Sequence, residues 1–181
     1  MIDDYEVGGA ERTLTGLAQI VDERTKMVED FLASDVMKGL DAKIAGAGVF
    51  GKGGALESAG ANEKGFFIDK ALGAVKARMK AMPLVYATGD KAALAQRVVA
   101  EALKAAEGPV KEWMKFRKDF MAGIGAIEAD FAGMGKDKIA VCRDWTLMEI
   151  LSGQNGTSRD LKTALAYYRH ALGEELNFTF G

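Results

Sequence analysis

The chain has 181 residues and a mass of 19.4 kDa, is 49% hydrophobic and 28% charged, and carries a net charge of −2 from 24 basic and 26 acidic side chains. That length supports one domain, read as residues 1–181, with a real core. The composition excludes global disorder and fibrous repeats, and the near-neutral charge gives no overall field to attract nucleic acid.

Leu14, Leu17, Val21, Val28, Leu32, Val36, Leu40 and Ile44 recur at steps of three, four or their sum, which predicts one long amphipathic helix with Thr25 in the missing step. At about 30 residues it would reach ~45 Å, long enough to be the spine of the fold. Charged Glu11, Arg12, Asp22, Glu23, Arg24, Lys26, Glu29 and Asp30 lie mostly off that face. Residues 46–65 hold seven glycines, with Ser58 and Asn62 among them. Ordering such a backbone carries a high entropic cost, and a long loop is expected there.

Asn62 is the expected cap of a second helix bearing Ile68, Leu72, Val75, Met79 and Met82, and Pro83 ends it by removing a donor. Asp90 is the next cap, ahead of a stripe of Leu94, Val98 and Leu103. Gly108-Pro109 ends or kinks that helix, and Pro109 suits the first position of another bearing Trp113, Phe116, Phe120, Ile124, Ile127 and Phe131. After Gly133-Met134-Gly135, Asp137 caps a shorter helix with Val141, Trp145 and Met148 inward, and Gly153–Gly156 makes a turn. Thr157-Ser158-Arg159-Asp160 reads as a variant capping box for a last helix burying Leu161, Leu165, Tyr168 and Leu172. Residues 176–181 alternate polar and apolar, so the tail with Phe178 and Phe180 is expected to be extended. The predicted architecture is all-α: an antiparallel bundle of four or five principal helices with one long glycine-rich loop.

Charged residues interrupt every apolar run, whereas a membrane-spanning helix needs roughly 20 predominantly apolar residues, so no transmembrane span is expected. The acidic start, Met1-Ile2-Asp3-Asp4-Tyr5-Glu6, lacks the basic and apolar regions of a signal peptide. Cys142 is the only cysteine, which excludes an intrachain disulfide and a cysteine-rich metal cage. His170 is the only histidine and has Tyr167 three residues before it, so the paired Glu-x-x-His ligands of a di-iron bundle are missing. No metal site and no cofactor are expected.

Three constellations invite a functional reading. Gly46-Ala47-Gly48-Val49-Phe50-Gly51-Lys52-Gly53 fits a dinucleotide fingerprint and most of a phosphate-binding loop, with Gly46, Gly48, Gly51 and Lys52 as the candidate phosphate contacts. Gly53 stands where magnesium needs Ser or Thr, and helical periodicity precedes the motif where a strand is required. Cys142, His170 and Glu174 offer a nucleophile, a base and an orienting carboxylate, but helical phase puts His170 about 200° from Tyr168 and so toward solvent. Trp113, Phe116, Phe120, Met121 and Trp145 could line an apolar pocket for lipid or pigment. Two basic groups, Lys76/Arg78/Lys80 and Lys111/Lys115/Arg117/Lys118, read as solvated helix faces.

Thr163-Ala164-Leu165-Ala166-Tyr167-Tyr168, then Leu176-Asn177 and a terminal Gly181, resembles the final helix of the PsbQ-type extrinsic four-helix-bundle subunits of photosystem II. The resemblance is confined to the C-terminal helix. It implies a lumenal, non-enzymatic subunit that docks on a photosynthetic membrane complex; without it, a cytoplasmic location is expected. The leading expectation is a non-catalytic accessory or assembly subunit of a larger protein complex, free to associate peripherally with a membrane, with Phe50, Phe178 and Phe180 as docking residues. An apolar-ligand bundle and a nucleotide-dependent enzyme using residues 46–53 are the alternatives.

Overall fold

A computed structural model describes residues 4–87 and 89–180, with side chains between 14 and 177 apart from position 88. The elements are α1 (Asp4–Leu32), α2 (Asp35–Lys38), α3 (Leu40–Ala45), α4 (Ala61–Ala81), α5 (Pro83–Tyr86), α6 (Lys91–Ala129), α7 (Lys136–Ser152) and α8 (Leu161–Phe180). Short 3-10 turns sit at Gly48–Phe50, Ala132–Met134 and Gln154–Gly156. The class is all-α, with no strand among the described residues. None of the described helices is long and apolar enough to cross a membrane. Two compact units divide the chain: the described residues of Met1–Gly54 with Phe66–Ala106, and those of Ala55–Gly65 with Glu107–Gly181. Two of the three junctions fall inside continuous α4 and α6, and the third follows Gly54 in the glycine-rich segment.

In the first unit the expected spine breaks into three helices. Ser34 turns its hydroxyl back to donate to the Phe31 carbonyl at 2.6 Å, a local bond that competes with helix continuation. The break changes which side chains are covered. Val28, Phe31, Met37, Leu40 and Ile44 are buried, whereas Leu14, Leu17, Val21 and Val36 of the expected stripe are exposed. The glycine-rich segment then packs on itself. A Cβ at Gly54 would lie 2.4 Å from the Gly48 carbonyl oxygen and one at Gly51 2.8 Å from that of Gly46, so only glycine lets backbone lie on backbone here. Ile68, Leu72, Val75 and Met79 are buried as the spacing predicts, but Met82 is exposed and Pro83 opens α5. Tyr86 fixes α5 against α6 by donating to Glu101 Oε2 at 2.8 Å, with the Arg97 guanidinium over its ring.

Asp90 caps α6 as expected, its Oδ1 accepting the N–H groups of Ala92 and Ala93. The helix does not end at Gly108-Pro109 but continues through Pro109 to Ala129. Proline removes one internal hydrogen bond, yet the residue before it is a glycine, with no Cβ to collide with the proline ring.

In the second unit Trp113, Phe120, Ile124 and Ile127 of α6 are buried with Tyr168 and Leu172 of α8. Gly123 admits the Leu165 side chain, which would lie 3.0 Å from a Cβ there. A polar node ties the three helices together. Glu128 of α6 accepts from Arg143 Nη2 of α7 at 2.7 and 2.8 Å and from the Tyr168 hydroxyl of α8 at 3.1 Å. A partly buried carboxylate with those partners on three helices restricts the rotation of each, a specificity that apolar contacts alone supply less well.

The helix ends differ from the expected caps. Gly60, not Asn62, precedes α4: the Glu63 carboxylate reaches back to accept the Gly60 N–H at 2.9 Å. Gly135, at φ +87°, precedes α7, so Asp137 lies within its first turn. Asp160, not Thr157, caps α8, with Oδ2 accepting the Thr163 N–H at 3.0 Å and the Thr163 hydroxyl at 2.7 Å. The backbone over 176–180 belongs to α8 and is helical, not extended.

The Thr163 hydroxyl and amide hold the Asp160 carboxyl below its ordinary value of 3.8. A depressed folded value means the cap contributes fully above the unfolded pKa and is lost as pH falls through the folded one. Protection of the first-turn amides of α8, measured as the exchange rate relative to the intrinsic rate at each pH, should therefore fall on acidification below about pH 4, and Asp160→Asn should remove that pH dependence while keeping the cap. Identical acid sensitivity in the variant would show that another group opens this turn.

A groove between α7 and α8

Helix α7 is apolar on two sides. Its inward side carries Ile139, Cys142, Thr146, Leu147 and Ile150, all buried. Its other side carries Val141 and Trp145, one turn apart, at 57% and 67% exposure. Large apolar side chains at successive turns on the side away from the core are the mark of a surface that another element covers. The expected inward placement of Val141 and Trp145 is therefore corrected: with apolar residues at both 139-142-146-150 and 141-145, periodicity leaves the phase of this helix undetermined, and the other face turned inward.

Beside Val141 and Trp145, α8 runs antiparallel to α7, and the two helices bound a groove of about 920 Å³. The Tyr167 hydroxyl, donating to Glu149 Oε2, ties the helices together at one end. That bond, followed by burial and the Glu149 charge, raises the Tyr167 pKa above its ordinary value. Around the apolar floor stand the carboxylates of Asp137, Glu149, Glu174 and Glu175, against one lysine, Lys138.

Cys142 and His170 both line this groove, together with Glu174. The structure thus brings the three proposed catalytic residues to one place, but not into nucleophilic order. Burial pushes the Cys142 thiol above its ordinary value, and the neighbouring Glu175 carboxylate pushes it further. His170 Nε2 lies 3.2 Å from Glu174 Oε1 one turn along its own helix, both well exposed. A thiol held protonated is a poor nucleophile. In the folded protein Cys142 should react with iodoacetamide at least about tenfold more slowly than in the unfolded chain, and Glu175→Gln should raise the folded rate. Equal rates in both states would place the thiol outside the buried environment described here.

The other expected sites separate. Trp113 and Phe120 are fully buried, with Phe116 between them at ring-centroid distances of 5.5 and 5.8 Å, whereas Trp145 faces the groove, so these aromatics do not share a pocket lining with it. In the glycine-rich segment the N–H groups of Phe50, Gly51 and Gly54 donate to the carbonyls of Ala47, Gly48 and Gly51. The Gly51 donor of the candidate phosphate contacts is thus occupied, α3 precedes the segment where a phosphate-binding loop needs a strand, and Lys52 is exposed. Phe50 is buried in the core of its unit and offers no docking surface. The side chains of Phe178 and Phe180 lie outside the described residues. Of the basic groups, Arg117 is paired with buried Glu63 at 2.8 Å and Arg78 approaches Glu101 at 3.9 Å.

A second apolar surface lies on the first unit, where Leu14, Leu17, Ile20 and Val21 of α1 are exposed. No group of three or more His, Cys, Asp or Glu side chains is placed to hold a metal ion among the described residues. Comparison with known protein families, with curated proteins and with solved structures finds no match.

Proposed function

We propose that this protein is a non-catalytic accessory or assembly subunit that docks on a larger protein complex, and that the groove between α7 and α8 is its docking surface. The observation that carries the reading is the second apolar face of α7, where Val141 and Trp145 remain exposed while Ile139, Cys142, Leu147 and Ile150 are buried. Large aromatics left in a concave, partly apolar site are the usual anchors of protein interfaces. The protonated state of Cys142, favoured by burial, turns the same groove away from nucleophilic chemistry.

The likeness of the last helix to PsbQ-type subunits favours a photosynthetic membrane complex as the partner and the thylakoid lumen as the compartment. Crosslinking and mass spectrometry on protein purified from the cells that make it tests this. Lys136 and Lys138, at the start of α7 beside the groove, should crosslink repeatedly to one other protein. Recovery of a solitary monomer that turns over a substrate would sink the idea.

A further inference from the structure

The groove has a chemistry that selects its occupant. We infer that it receives an amphipathic α-helix of a partner protein whose apolar face lies on Val141 and Trp145 and whose flanks carry lysine or arginine. This rests on the docking reading above and narrows it to one class of partner.

Three observations converge on that class. The first is shape. The lining of α7 runs from Asp137 and Lys138 through Val141 and Trp145 to Glu149, and that of α8 from Tyr167 through Ala171 to Glu175. Two antiparallel helices with apolar residues at successive turns form a trough in which a third helix can lie, and at 1.5 Å per residue the α7 side is ~18 Å long, about three turns. The second is α7 itself, whose two apolar faces require cover on both sides, one of which its own unit supplies.

The third is charge. Asp137, Glu149, Glu174 and Glu175 border the trough and Lys138 is the only lysine or arginine in its lining. Such a border repels an acidic helix or an anionic lipid surface and attracts cationic flanks, steering the encounter and fixing the register. A second copy of the chain is a poor donor: its exposed apolar face, Leu14, Leu17, Ile20 and Val21, lies on α1, where acidic Glu11, Asp22, Glu23, Glu29 and Asp30 outnumber basic Arg12, Arg24 and Lys26, the wrong sign for this border. Its exposed basic stripe on α6, Lys111, Lys115 and Lys118, belongs to a segment whose Trp113 and Phe120 are already fully buried in its own core. The occupant is therefore a helix from a different protein.

Calorimetric titration of the full chain with designed helices tests the assignment. The probe is a peptide of about 14 residues with leucines on one face and lysines elsewhere. Its counterpart has glutamates in place of the lysines, and a third peptide has the leucines and lysines scrambled. The Leu/Lys helix should bind, more weakly as salt is raised, while the other two should not. Trp145→Ala should weaken it by about tenfold or more, as removal of an interface anchor does. Glu174→Gln with Glu175→Gln should weaken it and flatten its salt dependence, and both variants should keep the helical circular-dichroism signal of the parent.

Binding that ignores Trp145→Ala, or binding of the scrambled peptide with equal strength, would overturn the inference. If the Leu/Glu helix binds as well and needs Trp145, the cationic occupant is wrong while the docking reading stands. Trp145-dependent binding to vesicles of phosphatidylglycerol, or self-association abolished by Trp145→Ala, would likewise overturn it in favour of a lipid surface or a second copy.

Discussion

Glu63→Ala should be among the most damaging substitutions in the chain, costing about 3–5 kcal/mol, the scale on which a buried ion pair is broken. Glu63 is only 4% exposed and serves three donors. Its Oε1 accepts from Trp113 Nε1 at 2.7 Å and from Arg117 Nε at 2.8 Å, and its Oε2 accepts the Gly60 N–H at 2.9 Å. Removing the carboxylate strands a fully buried indole N–H, a largely buried guanidinium and an uncapped helix start at once. Arg117→Ala should cost less, because the remaining carboxylate keeps two neutral donors. Urea unfolding of the two single variants and the double variant supplies the comparison, and strong non-additivity is expected because the groups share one site. A larger loss for Arg117→Ala than for Glu63→Ala would mean that the arginine, not the carboxylate, organises this cluster.

Tyr168→Ala should cost about 3–5 kcal/mol, as deletion of a fully buried ring leaves a cavity against Phe120, whose ring centroid is 5.7 Å away. Tyr168→Phe keeps the ring and removes only the hydroxyl bond to Glu128, so a loss of about 0.5–1.5 kcal/mol is expected. The two variants also separate under alkali. Burial, followed by the Glu128 charge and the hydrogen bond to it, raises the Tyr168 pKa above its ordinary value of 10.0. A raised folded value means the native contribution is complete below pH 10 and declines as pH climbs toward the folded pKa, because only the unfolded chain ionises there. The parent should therefore lose stability above pH 10 more steeply than Tyr168→Phe. Parallel alkaline profiles would remove Tyr168 from the account.

The helical class and several element ends were legible because they rest on local chemistry. Asp90 ahead of an apolar stripe, Pro83 after a helix and the Gly153–Gly156 turn each act through neighbouring backbone, and all three do what their residue types dictate. The features that spacing does not reveal depend on distant partners. Glu63 is one glutamate among many until Trp113 and Arg117, fifty or more residues on, come to it. The same holds for Glu128, which meets Arg143 and Tyr168 only after three helices have folded together. Pro109 misled for the opposite reason, since a local rule against proline inside a helix yielded to the packing of a long α6.

The candidate site was legible in its parts and not in its arrangement. Residue type singles out Cys142, His170, Glu174 and Trp145, but helical phase points Trp145 inward and His170 outward, so their sharing of one groove does not follow from spacing. The apolar residues at 141 and 145, placed between the inward positions 139, 142, 146 and 150, were the available signal that α7 needs cover on two sides.

The two tryptophans occupy opposite environments, and this gives the protein a built-in pair of optical reporters. Trp113 is fully buried, hydrogen-bonded to Glu63 and overlaid by the Arg159 guanidinium at 5.2 Å, so its emission should be short in wavelength and insensitive to acrylamide until the chain unfolds. Trp145 lies open in the groove and should emit at longer wavelength and be quenched readily in the native state. Excitation at the red edge, or selective quenching, separates the two signals. One indole then reads whether the unit is folded and the other whether its groove is filled, in the same cuvette and without any added label.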